Sequence, residues 1–126
     1  MKTKILLVDD EPDVLEILSK KLQAAGFLTV TASDGIQGLK KSREEKPDLV
    51  LLDIIMPNKD GFTMLRELQS ETDLSRIPVI MVSAKSEADS LFEGRDLGAT
   101  DYLIKPIDFD ELLRYIKKYT LAEPEL

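Results

Sequence analysis

Five short apolar runs alternate with longer segments of helical spacing, and that alternation constrains the fold more than any other feature. The runs cover residues 5–8, 28–32, 49–52, 79–82 and 102–104, with 28–32 the weakest. Short continuous runs, several rich in Val and Ile, read as strands buried on both faces, as in a parallel sheet. Between them, residues 12–25 set Leu15, Leu18 and Leu22 on one stripe and stop at Gly26. Residues 34–45 form a weaker helix carrying Ile36 and Leu39, ended before Pro47. Residues 61–70 carry Met64, Leu65 and Leu68, and residues 88–97 carry Leu91 and Phe92 ahead of Gly98. Residues 108–119 carry Leu112, Ile116 and Tyr119, with Asp108 and Glu111 as a capping pair. A βα unit repeated five times predicts a doubly wound α/β domain with right-handed crossovers. The domain is expected to fill residues 1–120, leaving 121–126 as a tail or the start of a linker. In such sheets ligands bind at the edge where the C-terminal strand ends gather.

The polar inventory narrows the chemistry available at that edge. The chain has no cysteine and no histidine. Disulfides, Cys/His zinc sites, thiol nucleophiles, Ser-His-Asp triads and a phosphohistidine relay within the chain are therefore excluded. Carboxylates, hydroxyls, lysines and arginines remain, and carboxylates favour hard cations such as Mg²⁺. With 24 Asp and Glu against 17 Lys and Arg, the net charge of −7 opposes direct nucleic-acid binding. No leader and no run of membrane-spanning length is visible, so a cytoplasmic location without membrane contact is expected.

The residues that end the apolar runs carry the chemistry. Asp9 and Asp10 follow the first run, Asp53 the third, Ser83 the fourth, and Lys105 with Pro106 the fifth. Each has a plainer reading alone. An Asp at a strand end is usually a turn residue or a helix cap, Ser83 a satisfied hydroxyl or an N-cap, Lys105 a solvated cation, and Tyr102 a half-buried strand residue. Their joint occurrence at successive strand ends favours one site. Three carboxylates at one edge repel one another, and a divalent cation or a lysine relieves that cost. Asp9, Asp10 and Asp53 thus make a plausible Mg²⁺ pocket with Lys105 as a second cation, a layout suited to phosphoryl transfer. Asp53 stands alone on the central strand and is the best candidate nucleophile, and Ser83 supplies a hydroxyl.

The segments ILLVDDE (5–11), VLLDIIMPNKDG (50–61), VIMVSAK (79–85) and GATDYLIKP (98–106) resemble the motifs of receiver domains of two-component response regulators. The resemblance covers about residues 3–120. It implies the flavodoxin-like (βα)₅ receiver fold, with strand order 2-1-3-4-5. It implies that Asp53 is the phosphoacceptor, that Asp10 binds Mg²⁺ directly and Asp9 through water, and that the backbone carbonyl of Ile55 completes the metal ligands. Ser83 and Lys105 would bind the phosphoryl group, Tyr102 would be the aromatic switch residue, and the Lys105–Pro106 bond would be cis. The donor would be a sensor histidine kinase or a histidine phosphotransfer domain. The face of the fourth and fifth predicted helices and the fifth strand would signal to an effector or form a homodimer. Ile55, two residues after Asp53, would screen the phosphoryl group from water and slow its loss.

Three other functions compete. An aspartyl-nucleophile phosphohydrolase commonly has a second acid two residues after the nucleophile, where this chain has Ile55, so an enzyme acting on external substrates is not expected. A flavodoxin-like cofactor carrier would need a phosphate loop where Asp9, Asp10 and Glu11 stand. A phosphorylation-independent interaction module would not need every key position filled, as it is here.

Overall fold

A computed structural model describes residues 2–54, 61–84 and 98–120. The predicted helix at 88–97, Ile55 and the tail 121–126 lie outside them. The strands are β1 (Lys4–Val8), β2 (Leu28–Ala32), β3 (Leu49–Asp53), β4 (Val79–Ala84) and β5 (Asp101–Lys105). The helices are α1 (Pro12–Ala24), α2 (Gly35–Glu45), α3 (Gly61–Ser70) and a C-terminal helix (Phe109–Thr120). All four strand pairings are parallel, in the order β2-β1-β3-β4-β5. The expected doubly wound fold is therefore present.

Strand alternation sorts the apolar side chains into two layers. Leu6, Val8, Val50, Leu52, Val79 and Met81 face α2 and α3, where Leu39, Met64, Leu65 and Leu68 complete the layer. Ile5, Leu7, Leu49, Leu51, Ile80, Val82 and Leu103 face α1 and the C-terminal helix, where Leu22, Leu112 and Ile116 complete it. β1, β3 and β4 match the expectation of burial on both faces, but the edge strands do not. Leu28 on β2 is 45% exposed and Ile104 on β5 is 37% exposed, because an edge strand has a neighbour on one side only.

The buried stripe of α2 also differs from the sequence pattern. Ile36 is 56% exposed, and the buried residues are Gly35, Gly38, Leu39 and Ser42. The helix lies so close to α3 that a Cβ on Gly38 would fall 2.8 Å from the Met64 sulfur. Small residues permit that approach, and they carry no hydropathy signal.

Caps and a tertiary bond fix the element ends. Asp34 caps α2 by accepting from the Gln37 N–H at 2.8 Å. Asp108 accepts from the N–H groups of Asp110 at 2.9 Å and Glu111 at 3.3 Å, which starts the C-terminal helix. The Tyr119 hydroxyl donates to Asp101, tying the last turn of that helix to the start of β5. The Lys105–Pro106 peptide is cis. Among the described residues no helix is long and apolar enough to cross a membrane.

Candidate functional site

Three sequence-predicted site residues meet at the C-terminal edge of the sheet. Asp53 closes the central strand β3 and pairs in register with Val82 of β4. Asp9 follows β1, and its N–H still donates to the Ala32 carbonyl of β2 at 3.1 Å. Lys105 closes β5. Asp9, Asp53 and Lys105 stand two residues beyond Leu7, Leu51 and Leu103, which share one core layer. Alternation therefore turns all three side chains to the same side of the edge. The Lys105 ammonium donates to Asp53 Oδ2 at 3.1 Å and lies 3.6 Å from Asp9 Oδ2.

Asp10 joins the group from solvent. Asp9, Asp10 and Asp53 each offer a carboxylate oxygen, all within 4.8 Å of one another. Asp9 and Asp53 are 7% and 5% exposed, whereas Asp10 is exposed. Neither Asp9 nor Asp10 acts as a cap on α1. The N-cap is Glu11, which makes no side-chain capping bond, and Asp9 Oδ1 instead accepts the Glu11 N–H at 2.9 Å. Glu11 is a neighbour that the sequence reading did not single out, and its charge reaches both Asp9 and Lys105.

The electrostatics favour a further cation. Burial raises the Asp9 pKa, and the charges of Glu11 and Asp10 add to the rise, outweighing the Glu11 hydrogen bond and the Lys105 charge. Burial pulls Lys105 down, but its hydrogen bond to Asp53 and the charges of Asp53, Asp9 and Glu11 hold it above its ordinary value. An all-oxygen donor set with more negative than positive charge suits a hard divalent ion. Because native Asp9 holds its proton more tightly than the unfolded chain does, its contribution to stability is lost as pH rises from the ordinary carboxylate value through the raised native one. Asp9→Asn should therefore raise the melting temperature in EDTA at neutral pH, a sign that calorimetry would check.

Ser83 approaches the edge from the other layer. It lies two residues beyond Met81 and one beyond Val82, the partner of Asp53. It is 0% exposed, and its hydroxyl has no hydrogen-bond partner among the described residues. A buried hydroxyl left unsatisfied in a polar edge is suited to a group that arrives from outside. Tyr102 shares that layer, in register with Met81, and packs against it with its hydroxyl oxygen buried. The residue is thus half-buried against that layer.

The chain matches the response regulator receiver domain family over residues 5–117. It is 41% identical over 113 residues to Protein PilH of Pseudomonas aeruginosa, covering 90% of this chain and 93% of that one. It is 38% identical over 117 residues to PhoP of Bacillus subtilis, an alkaline phosphatase synthesis transcriptional regulatory protein, covering 93% of this chain and 48% of PhoP. The chain spans about half the length of the transcriptional regulators it matches. In structure it is similar to the receiver domain of a Pseudomonas aeruginosa sensor histidine kinase, solved with a magnesium ion in its active-site cleft. That likeness has a TM-score of 0.88 at 27% identity, over 97% of this chain and 100% of the other.

Proposed function

The chain belongs to the response regulator receiver domain family, and on that premise we propose that Asp53 is its phosphoacceptor. The observation that carries this is the meeting of Asp53 with Asp9, Asp10 and Lys105 at one strand edge. A carboxylate oxygen of Asp53 attacks the phosphorus of a phosphohistidine; the O–P bond forms, the P–N bond breaks, and the imidazole leaves after taking up a proton. The histidine belongs to a separate sensor kinase or histidine phosphotransfer domain, because this chain has none. Lys105 neutralises the charge on the phosphoryl oxygens, and the Ser83 hydroxyl donates to one of them. Asp9, Asp10 and Asp53 would hold Mg²⁺, together with the backbone carbonyl of Ile55. Bound there, Mg²⁺ would offset the carboxylate charge and share that of the phosphoryl group.

The product is a signal rather than a released chemical. Phosphorylation turns one negative charge into about two and adds strong acceptor oxygens. Ser83 moves toward them, Tyr102 responds in the same layer, and the face containing β5 and the C-terminal helix changes for an effector or a second copy. We assign the receiver to residues 1–120 and expect it in the cytoplasm. Phosphate transfer from a phosphorylated phosphotransfer domain to the chain, absent in Asp53→Asn, is the expected result; equal labelling of both would refute the assignment.

Metal addition gives a separate prediction. With free Mg²⁺ at roughly ten times its dissociation constant, linkage adds about 1.4 kcal/mol to stability, which is roughly 5 °C in melting temperature. Asp9→Asn and Asp10→Asn should lose most of that rise, as differential scanning calorimetry would show.

A further inference from the structure

Gly61 opens α3, and it meets the backbone of the phosphoacceptor strand. Its N–H donates to the Ile54 carbonyl at 2.9 Å, while the Ile54 N–H donates to the Val82 carbonyl of β4 at 3.0 Å. The end of β3 is thus held from two sides, by β4 and by the start of α3.

The glycine is not there for its backbone freedom. Gly26 and Gly98 have positive φ, and Gly61 does not. What it provides is space. A Cβ at this position would overlap the Asp53 carbonyl oxygen, and would lie 2.9 Å from the Ile54 Cα and 3.1 Å from the Asp53 carbonyl carbon. All three obstacles are backbone, so no side chain can swing aside. Either α3 backs away from β3, which breaks the Gly61–Ile54 bond that holds the strand end, or the 53–54 peptide turns; the first loosens and the second displaces the carboxylate that Lys105 holds at 3.1 Å. Gly38 is the useful contrast. Its Cβ would meet the Met64 sulfur at 2.8 Å and the Met64 methyl at 2.9 Å, the far end of a flexible side chain, and a Val8 methyl at 3.1 Å, with no backbone atom among these neighbours.

We propose that Gly61 is a positioning residue for phosphoryl transfer: its missing side chain lets α3 seat on the backbone of Asp53 and fix the direction of the nucleophile. This rests on Asp53 being the phosphoacceptor. A displacement of about 1 Å at a reacting group can cost up to about 100-fold in rate.

The test compares wild type, Gly61→Ala and Gly38→Ala. One reading is the rate of phosphorylation by acetyl phosphate with saturating Mg²⁺. The other is the carboxyl ¹³C resonance of Asp53, assigned by its loss in Asp53→Asn. Gly61→Ala should be phosphorylated roughly 10- to 100-fold more slowly with a shifted Asp53 resonance. Gly38→Ala should keep the wild-type rate to within about 2-fold, with the resonance in place. A Gly61→Ala chain with wild-type rate and resonance overturns the proposal. If the wild type itself takes no phosphate, the phosphoacceptor reading fails, and the resonance alone decides whether Gly61 positions Asp53. If Gly61→Ala is unfolded, both readings are repeated in trimethylamine N-oxide, which favours the compact state. Failure to fold there, with Gly38→Ala folded, shows that Gly61 maintains the fold rather than the nucleophile and overturns the proposal.

Discussion

Lys105→Met should slow phosphorylation of Asp53 by about 100-fold, the usual cost of removing one donor that stabilises transition-state charge. The ammonium is the one cation that touches both buried acids among the described residues, at 3.1 Å from Asp53 and 3.6 Å from Asp9. Methionine keeps much of the stem's packing and removes the charge, so the rate effect belongs to the charge. The variant should also be less stable without metal, because two buried carboxylates that lie close to each other and to Asp10 lose the ammonium they share. Lys105 itself is partly exposed, so the cost is set at the lower end for a charged hydrogen bond, about 2 kcal/mol, or roughly 5–10 °C in melting temperature. Mg²⁺ should restore most of the stability, since it meets the same carboxylates, and should restore little of the rate. Calorimetry in EDTA and in Mg²⁺, beside acetyl phosphate kinetics, separates the two effects. Loss of both in parallel, with no rescue by Mg²⁺, would mean that Lys105 is needed to hold the edge together rather than to share phosphoryl charge.

Ser83→Ala should act in opposite directions on stability and on transfer. The wild-type hydroxyl is buried without a hydrogen-bond partner among the described residues. Removing it should stabilise the unphosphorylated domain by about 1 kcal/mol, roughly 4 °C. Phosphorylation should slow by about 10-fold or more, because a donor to the phosphoryl oxygens is gone. The proposed link from Asp53 to Tyr102 should be cut as well, so partner binding should no longer depend on phosphorylation. A less stable Ser83→Ala, with transfer and phosphorylation-dependent binding intact, would make Ser83 an ordinary packing residue.

Much of the fold was legible because punctuation and period agreed. Pro12 and Gly26 bracket α1 to within a residue, and Gly61 and Ser70 bound α3 where its apolar spacing begins and ends. The acidic edge was legible for a related reason. Asp9, Asp53 and Lys105 end apolar runs whose alternation already aligns them on one side of the sheet. What escaped was carried by residues with no hydropathy. The buried stripe of α2 runs through Gly35, Gly38 and Ser42, so the pattern overrated Ile36. Gly61 was legible as the start of α3 but not as a neighbour of Asp53, because that closeness depends on how α3 packs on β3. Glu11 was passed over because its contribution to the site is a backbone N–H to Asp9 and a charge acting at a distance. Edge exposure at Leu28 and Ile104 depends on strand order, which a run of Val and Ile does not state.

The most direct test of the account is to locate the phosphoryl group chemically. The chain is incubated with acetyl phosphate and Mg²⁺, reduced with borohydride to convert any acyl phosphate to homoserine, and sequenced by mass spectrometry. Homoserine at Asp53, and its absence in Lys105→Met treated for the same short time, is the expected result. Homoserine at Asp9 or Asp10, or none anywhere in the wild-type chain, would contradict it.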